Sequence, residues 1–373
     1  MLRFSTDNLR KVFADEDKYK NFKKLTYDLN HGNDIYEYDE DGNQRKISKK
    51  EANNAVRKIL MEVCDLTEED LKSNKLRKRA EAQHQNEVFE LIESDIDFKV
   101  ETGFQENEWF QNYVDMRNIA LGDDEEYWTK DKIMLVVAEI SGGHHDLTMQ
   151  NLNEGTSHKL HTRKYGMKIG KDIDLILLGR VDFTELTDKI AEAFAYKVME
   201  LCFAGVYGAT DKLPNKSQFV KTGALSASTK ESFDTLIEDV GAANGADVVI
   251  MGTKTALKKL NALADVDWRS DSQKESVATT GRLGNYEGTE LIEIPQRFAL
   301  NDVTKKLIPN DKLLIFAKNQ EKFVWFTDKG ETEITEAGQQ KGDLADDFQT
   351  YEVQREFGVA VELPQYMGVW SFS

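Results

Sequence analysis

One long helical pattern at the middle of the chain constrains the fold more than any other feature. Asp182 and Glu185 stand at the spacing of a helix start, and Leu186, Ile190, Phe194, Val198 and Leu201 recur at three and four residues. The pattern runs about 22 residues to Gly205, a rod about 33 Å long. It is amphipathic rather than apolar all round, so one face packs on a sheet while the other looks away from it.

Upstream, residues 132 to 140 read as a strand by their β-branched content, a polar stretch follows, and a second alternating segment runs from about Leu160 to Leu178. Two strands of roughly 12 to 15 residues at about 3.3 Å each make a hairpin roughly 40 to 50 Å long. Downstream, after a polar link around Pro214, a compact α/β pattern begins. Ser228 and Glu231 are spaced to cap a helix that buries Phe233, Leu236, Ile237 and Val240, and residues 247 to 252 form a strand. A helix from Thr253 carries Leu257, Leu260 and Leu263, strands are predicted at 289 to 294, 312 to 317 and 322 to 327, and residues 346 to 373 alternate around Tyr351, Val353, Phe357, Val359, Val361 and Leu363.

Before the hairpin, residues 1 to 47 read as an extended start with tight turns at 31 to 34 and 39 to 43. Ser48 and Glu51 then make a capping-box spacing ahead of Ala52, Val56, Ile59, Leu60 and Val63. A largely charged stretch from Leu71 to Gln85 leads into Val88, Phe89, Leu91 and Ile92, which predicts a helix solvated over much of its surface. Residues 97 to 128 carry Phe98, Phe104, Trp109, Phe110, Tyr113, Tyr127 and Trp128 in polar company without a period, the pattern of an arm anchored on a neighbouring surface.

Composition removes several function classes. No uncharged apolar run nears the roughly 20 residues needed to cross a bilayer, and the first residues lack the apolar core of a secretory signal, so neither a membrane span nor export by that route is expected. With 49 Lys+Arg against 67 Asp+Glu the net charge is −18, the wrong sign for a phosphate-neutralising surface. Cys64 and Cys202 are far apart with no CxxC and read as buried thiols of a reduced compartment. At 373 residues with scarce proline, the chain has room for two or three domains without proline-rich linkers.

No chemistry-bearing constellation is complete in the sequence. His144, His145, His158 and His161 have spacings that can bind zinc, but no cysteine or HExxH accompanies them, and polar residues near a hairpin tip is the reading they support. The glycines from Gly281 to Gly288 lack a Gly-Lys-Ser/Thr ending and precede a strand, so they read as turns rather than a phosphate loop. Acidic pairs such as Asp123-Asp124 and Asp346-Asp347 have no partner acid or base, and no GxSxG elbow occurs. No enzyme, metal or cofactor is therefore expected. An arm, a long hairpin and a long helix that reach beyond their own domain bury their apolar faces against other chains, which describes a subunit of a large assembly.

This order of parts resembles the major capsid proteins of tailed bacteriophages with the Hong Kong 97-type fold. The resemblance covers about three quarters of the chain. It is carried by residues 246 to 254, a strand running into a helix; by Gly284-Asn285-Tyr286-Glu287-Gly288; by Leu291-Ile292-Glu293-Ile294-Pro295; and by residues 351 to 361. The implied fold is α+β, with residues 1–95 an N-terminal extension, partly helical, 96–130 an N-terminal arm, and 131–180 an extended-loop hairpin. Residues 181–224 would form the spine helix and part of the peripheral domain, 225–345 the axial domain, and 346–373 the return strand of the peripheral domain.

The resemblance implies a coat protein that assembles with itself through hexamers and pentamers into an icosahedral shell. That shell would enclose double-stranded DNA without specific binding, with portal, scaffold or cement proteins as possible partners and assembly in the host bacterial cytoplasm. It makes Trp109, Phe110 and Tyr113 of the arm, and Lys159, Arg163, Lys164 and Tyr165 of the loop, candidate inter-subunit contacts. An encapsulin-type compartment shares the fold and is the alternative, although such shells are usually shorter and lack a comparable extension. Many relatives lose an N-terminal scaffold segment to a protease; here residues 1–95 are expected to be structural and retained. Some relatives also cross-link a loop Lys to a neighbour's Asn, but none of Lys159, Lys164, Lys168 and Lys171 aligns with a bonding position, and no catalytic residue is carried over.

Overall fold

Alternation along a few strands fixes how the layers stack. The computed structural model describes residues 4–31, 33–38, 44–121, 123, 126–129, 149, 156–170, 176–178, 180–210, 216–263, 271–299, 302–318, 321–336, 350–362 and 366–372. Helices α1 (Asp7–Val12) and α2 (Glu16–His31), a small ribbon of β1 (Tyr36–Tyr38) with β2 (Gln44–Lys46), and helices α3 (Lys49–Val63) and α4 (Asn74–Glu106) build the N-terminal part. The capping box read from Ser48 and Glu51 is present at the start of α3, each residue bonding the other's backbone N–H. Charge predominates in the first turns of α4, and the backbone leaves helical geometry at His84 before its apolar half begins.

Short helix α5 (Glu108–Tyr113) then runs into strand β3 (Val114–Ile119), followed by β4 (Glu126–Thr129), β5 (Thr156–Lys159) and β6 (Arg163–Gly170). The central helix α6 spans Phe183–Ala209. Asp182 occupies its N-cap position, although its side chain makes no capping bond there. After it come β7 (Val220–Thr222), α7 (Lys230–Asn244), β8 (Val248–Gly252), α8 (Lys254–Lys258), β9 (Asn285–Tyr286), β10 (Thr289–Glu293), β11 (Phe298–Ala299), β12 (Asp302–Lys306), β13 (Lys312–Ala317), β14 (Val324–Glu336), β15 (Thr350–Val361) and β16 (Gly368–Ser371). Thr229, one residue later than the sequence suggested, takes the N-cap position of α7, and its hydroxyl accepts from the Ser226 N–H.

A six-stranded sheet has the order β7-β16-β13-β8-β10-β9, and a four-stranded sheet the order β3-β14-β15-β6. Both faces of the larger sheet are covered, which explains its near-continuous apolar strands. Val249, Met251, Leu314, Phe316 and Val369 face a core shared with α2 to α6, whereas Ile250, Leu313, Ile315 and Trp370 face α7 and α8. On the smaller sheet, Tyr351, Val353, Arg355 and Phe357 are buried at alternate positions of β15. Helix α6 lies close against that strand because Gly205 has no side chain: a Cβ there would stand 2.7 Å from Val361 Cγ2. Both cysteines are buried free thiols, and burial pushes the Cys202 thiol up to about 12.

The structure redraws several segment boundaries. Position 95 falls inside α4, so the expected extension and arm are not separate bodies. The described part of 96–130 is not a projecting arm: α5 packs inward and β3 joins the four-stranded sheet parallel to β14. Strand β14, placed by sequence in the axial segment 225–345, belongs to the four-stranded sheet, while β16, placed in the return strand 346–373, pairs with β13 and β7 in the six-stranded one. The pairings of β14 with β3 and of β16 with β7 span more than a hundred residues, and no local pattern encodes them. The predicted strand at 132 to 140 and the histidines His144 and His145 lie outside the described residues. Of the second predicted strand, residues 163–170 form β6, which pairs with β15.

Candidate assembly surfaces

Aromatic rings tie α5 to the core. Asn107 caps the helix by accepting the Phe110 N–H at 3.2 Å, which turns Phe110 inward onto Phe104 (4.3 Å between ring centres) and Phe326 (5.8 Å). Trp109 packs on Phe203 of α6 at 4.7 Å, and Tyr113 on Phe323 at 5.6 Å. These three candidates are thus held within their own subunit, where they join α6 to both sheets. Burial raises the Tyr113 hydroxyl to about 12. Trp109 also lines a cleft of about 490 Å³, together with Met199, Ile292 and Pro295, and its buried Nε1–H has no acceptor among the described residues.

The loop candidates sit differently. Among the described residues strand β6 is the outermost of its sheet, and from Lys164 onward exposed positions alternate with Tyr165, Met167 and Ile169 packed against the core. Arg163 and Lys164 are exposed, Lys164 Nζ standing 3.8 Å from Glu333, and Lys159 on β5 pairs with Glu126 across the β4–β5 ribbon at 3.5 Å. Such exposed pairs contribute little to stability and remain available to a partner. Tyr165 turns inward and stacks on Phe357 at 4.4 Å. Phe326 and Phe357, 6.1 Å apart, link Tyr165 to Phe110, so those two of the four aromatic candidates belong to one chain of rings. The lysines and Arg163 do not join it. His158, 3.9 Å from Glu362, tilts toward Trp325, and among the described residues no group of three or more His, Cys, Asp or Glu side chains is placed to hold a metal.

Sequence reasoning missed two features. The first is a buried polar junction between α4 and the four-stranded sheet. Arg355 of β15 donates to Asp328 of β14 through Nε (3.1 Å) and Nη2, to Asp97 of α4 (2.5 Å) and to the Thr332 hydroxyl (3.1 Å). Asp97 also accepts the Thr332 hydroxyl at 2.6 Å, and Glu93 accepts the Ile334 N–H at 2.6 Å. These bonds hold a bulge in β14 between Lys329 and Glu333, where Gly330 adopts φ +78° and a Cβ would meet Leu121 at 2.9 Å. Burial pushes the Asp328 carboxyl upward against the pull of Arg355; burial likewise raises Glu93 to about 7, helped by Asp97, Glu90 and Glu331 and opposed by the Ile334 N–H. The only signal in the sequence is the position of Arg355 on the inward phase of an alternating strand.

A matching junction joins α4 to α6, where Lys99, buried on α4, pairs with Asp95 at 3.3 Å and donates to Thr187 at 2.8 Å and the Thr184 carbonyl at 3.2 Å. Nearby, Thr26 donates to Asp95, Asn30 donates to the Thr184 carbonyl at 2.8 Å, and Phe22 of α2 meets Phe183 at 6.1 Å. The second missed feature is the two-stranded ribbon β11–β12, separate from both larger sheets, with Phe298 and Val303 exposed.

Residues 21–371 match the profile of a family described as "SPbeta prophage-derived putative capsid protein YonB". No curated protein matches the chain. Among solved structures, it is similar to the capsid structure of the cyanophage P-SCSP1u, with TM-score 0.47, 13% identity, and coverage of 71% of this chain and 88% of that one. It is similar also to a chain of the satellite phage P4 procapsid, with TM-score 0.47, 10% identity, and coverage of 74% and 90%. A virus-like particle from Pyrococcus furiosus gives TM-score 0.41 and 14% identity, covering 76% of this chain and 100% of that one.

Proposed function

We infer the function from the premise that the chain belongs to the YonB family of prophage-derived capsid proteins and is therefore a major capsid protein, a structural subunit of a phage shell. The match over residues 21–371, nearly the whole chain, carries this reading. On that premise, copies of the subunit associate through hexamers and pentamers into an icosahedral lattice of the Hong Kong 97 type, assembled in the host cytoplasm with portal, scaffold or cement proteins as partners. Helix α6, 27 residues or about 40 Å long, is the stiff spine and shares its core with both larger sheets. Many modest contacts repeated around a closed lattice then give a shell far more stable than any single contact.

The charged edge of β6 and the β4–β5 ribbon, with Lys159, Arg163 and Lys164 outermost, suit contact with a neighbour. Residues 1–95 remain part of the subunit in this reading, because Leu9, Phe22, Val56, Leu60, Leu91 and the interior of α6 share one core. Removing them would strip α6 of much of its cover. A net charge of −18 keeps the subunit from adsorbing the DNA that a separate motor would have to force inside.

Electron microscopy and light scattering of the full chain expressed with portal, scaffold and DNA-packaging motor partners test the reading. Closed shells containing nuclease-protected DNA, with subunits of intact N-terminus by mass spectrometry, are expected. A stable monomer under those conditions would overturn it, and shells filled with a cargo enzyme in place of DNA would favour the compartment alternative.

A further inference from the structure

The ribbon β11–β12 is one of three two-stranded ribbons, with β1–β2 and β4–β5, that lie outside the two larger sheets among the described residues. Its base is firmly tied: Gln296 donates to the Ile308 carbonyl at 2.6 Å and accepts the Ile308 N–H at 3.1 Å, the Leu307 N–H bonds the Arg297 carbonyl at 2.8 Å, and the Tyr196 hydroxyl of α6 donates to the Phe298 carbonyl. Arg297 also lies over the Tyr196 ring at 5.7 Å. Beyond that base every residue of β12 is exposed, Val303 is 79% exposed and Phe298 is 49% exposed. A lone two-stranded ribbon is marginally stable in water and needs a further strand or a packed face to persist. Here the base is rigid and the apolar side chains are bare, which is how a surface made for contact differs from a frayed loop.

Charge indicates what covers it. The ribbon presents Arg297, Lys305 and Lys306 against Asp302, three positive groups and one negative, on a chain whose net charge is −18. The most abundant complementary surface is the acidic exterior of another copy. We propose that β11–β12 is an assembly contact, docking Phe298 and Val303 against a second copy of this chain while Lys305 and Lys306 face its carboxylates. A ribbon on one subunit meeting a different surface on the next is a head-to-tail contact, the kind that closes rings rather than pairs. This rests on the capsid reading above and names one of its surfaces.

Maleimide labelling of a full-length Val303→Cys variant tests the proposal, because Cys64 and Cys202 are buried. Position 303 should label quickly in dissociated subunits and at least about tenfold more slowly in shells, a difference of about 1.4 kcal/mol in accessibility. The pair Lys305→Glu and Lys306→Glu should lower the yield of shells at least about tenfold while leaving the unfolding midpoint of the subunit unchanged, since neither lysine packs in its core. Shells that form normally from the charge-reversed chain, with position 303 as reactive as in free subunits, would overturn the ribbon contact and leave the capsid reading standing. If the unaltered chain assembles under no condition, both fall.

Discussion

Replacing Arg355 by methionine tests whether the junction between α4 and the four-stranded sheet holds the subunit together. The guanidinium is only 6% exposed and binds Asp328, itself 5% exposed, through two bonds while reaching Asp97 and Thr332. Methionine fills similar volume, so little cavity arises; what remains is a buried carboxylate with no cation and a second beside it. Removing one partner of such a pair costs about 3 to 5 kcal/mol. In urea, with a slope of about 3 kcal/mol/M for a chain of this size, the midpoint of dissociated subunits should fall by about 1 M or more. The companion variant Arg355→Met with Asp328→Leu removes both buried charges and should recover most of the loss. A single variant costing under about 1 kcal/mol, or a double variant as unstable as the single, would refute the argument that the unpaired charge sets the penalty. Acid should narrow the gap between the single variant and the parent, because protonating Asp328 relieves the same burial.

Three further outcomes are expected. Phe22→Ala, which empties a fully buried site where α2 meets Phe183, should cost about 3 to 5 kcal/mol in the same unfolding experiment; a cost below about 1 kcal/mol would mean that residues 1–95 are not integral to the core. Glu93 is raised by burial from 4.5 to about 7, so its protonated form favours the folded state: the stabilisation is complete below about pH 4.5 and is lost as pH rises through 7. The loss is at most about 3 kcal/mol, less what solvent screening removes at a partly exposed side chain, and Glu93→Gln should flatten the stability profile across that window; an unchanged profile would refute the assignment. Gly205→Ala gains about 1 kcal/mol of helix propensity but forces a Cβ to 2.7 Å from Val361, and overpacking at about 1 to 3 kcal/mol should win; a more stable variant would contradict the close approach of α6 to β15.

Local signals were legible where one element decides its own conformation. The box of Ser48 and Glu51, the long apolar face from Ile190 to Val198, the strand at Val248–Gly252 and the burial of both thiols follow from spacing and composition alone. Trp109, Phe110 and Tyr113 misled because α5 has six residues, too few to show a period, and the rings that receive them, Phe203, Phe323 and Phe326, lie far along the chain. A bare aromatic in polar company then looks like an arm. Arg355 was invisible for the opposite reason: its strand is regular, and a charge on the inward phase becomes intelligible only once Asp97 and Asp328 arrive from other elements. The ribbon β11–β12 fell between two well-marked strands and has too few residues to form a pattern.

Strand β16 sits between β7 and β13, and its Val369 is in register with Val220, nearly 150 positions earlier in the chain. During synthesis β7 therefore waits, unpaired, while the ribosome makes α7, the middle strands and β15. Only when Trp370 emerges can the sheet close over Phe233. At roughly 5 to 20 residues per second that delay is on the order of ten seconds or more, during which the nascent chain lacks the finished wall of its larger sheet. Until β16 pairs, the larger sheet therefore has no finished face to offer a neighbouring copy.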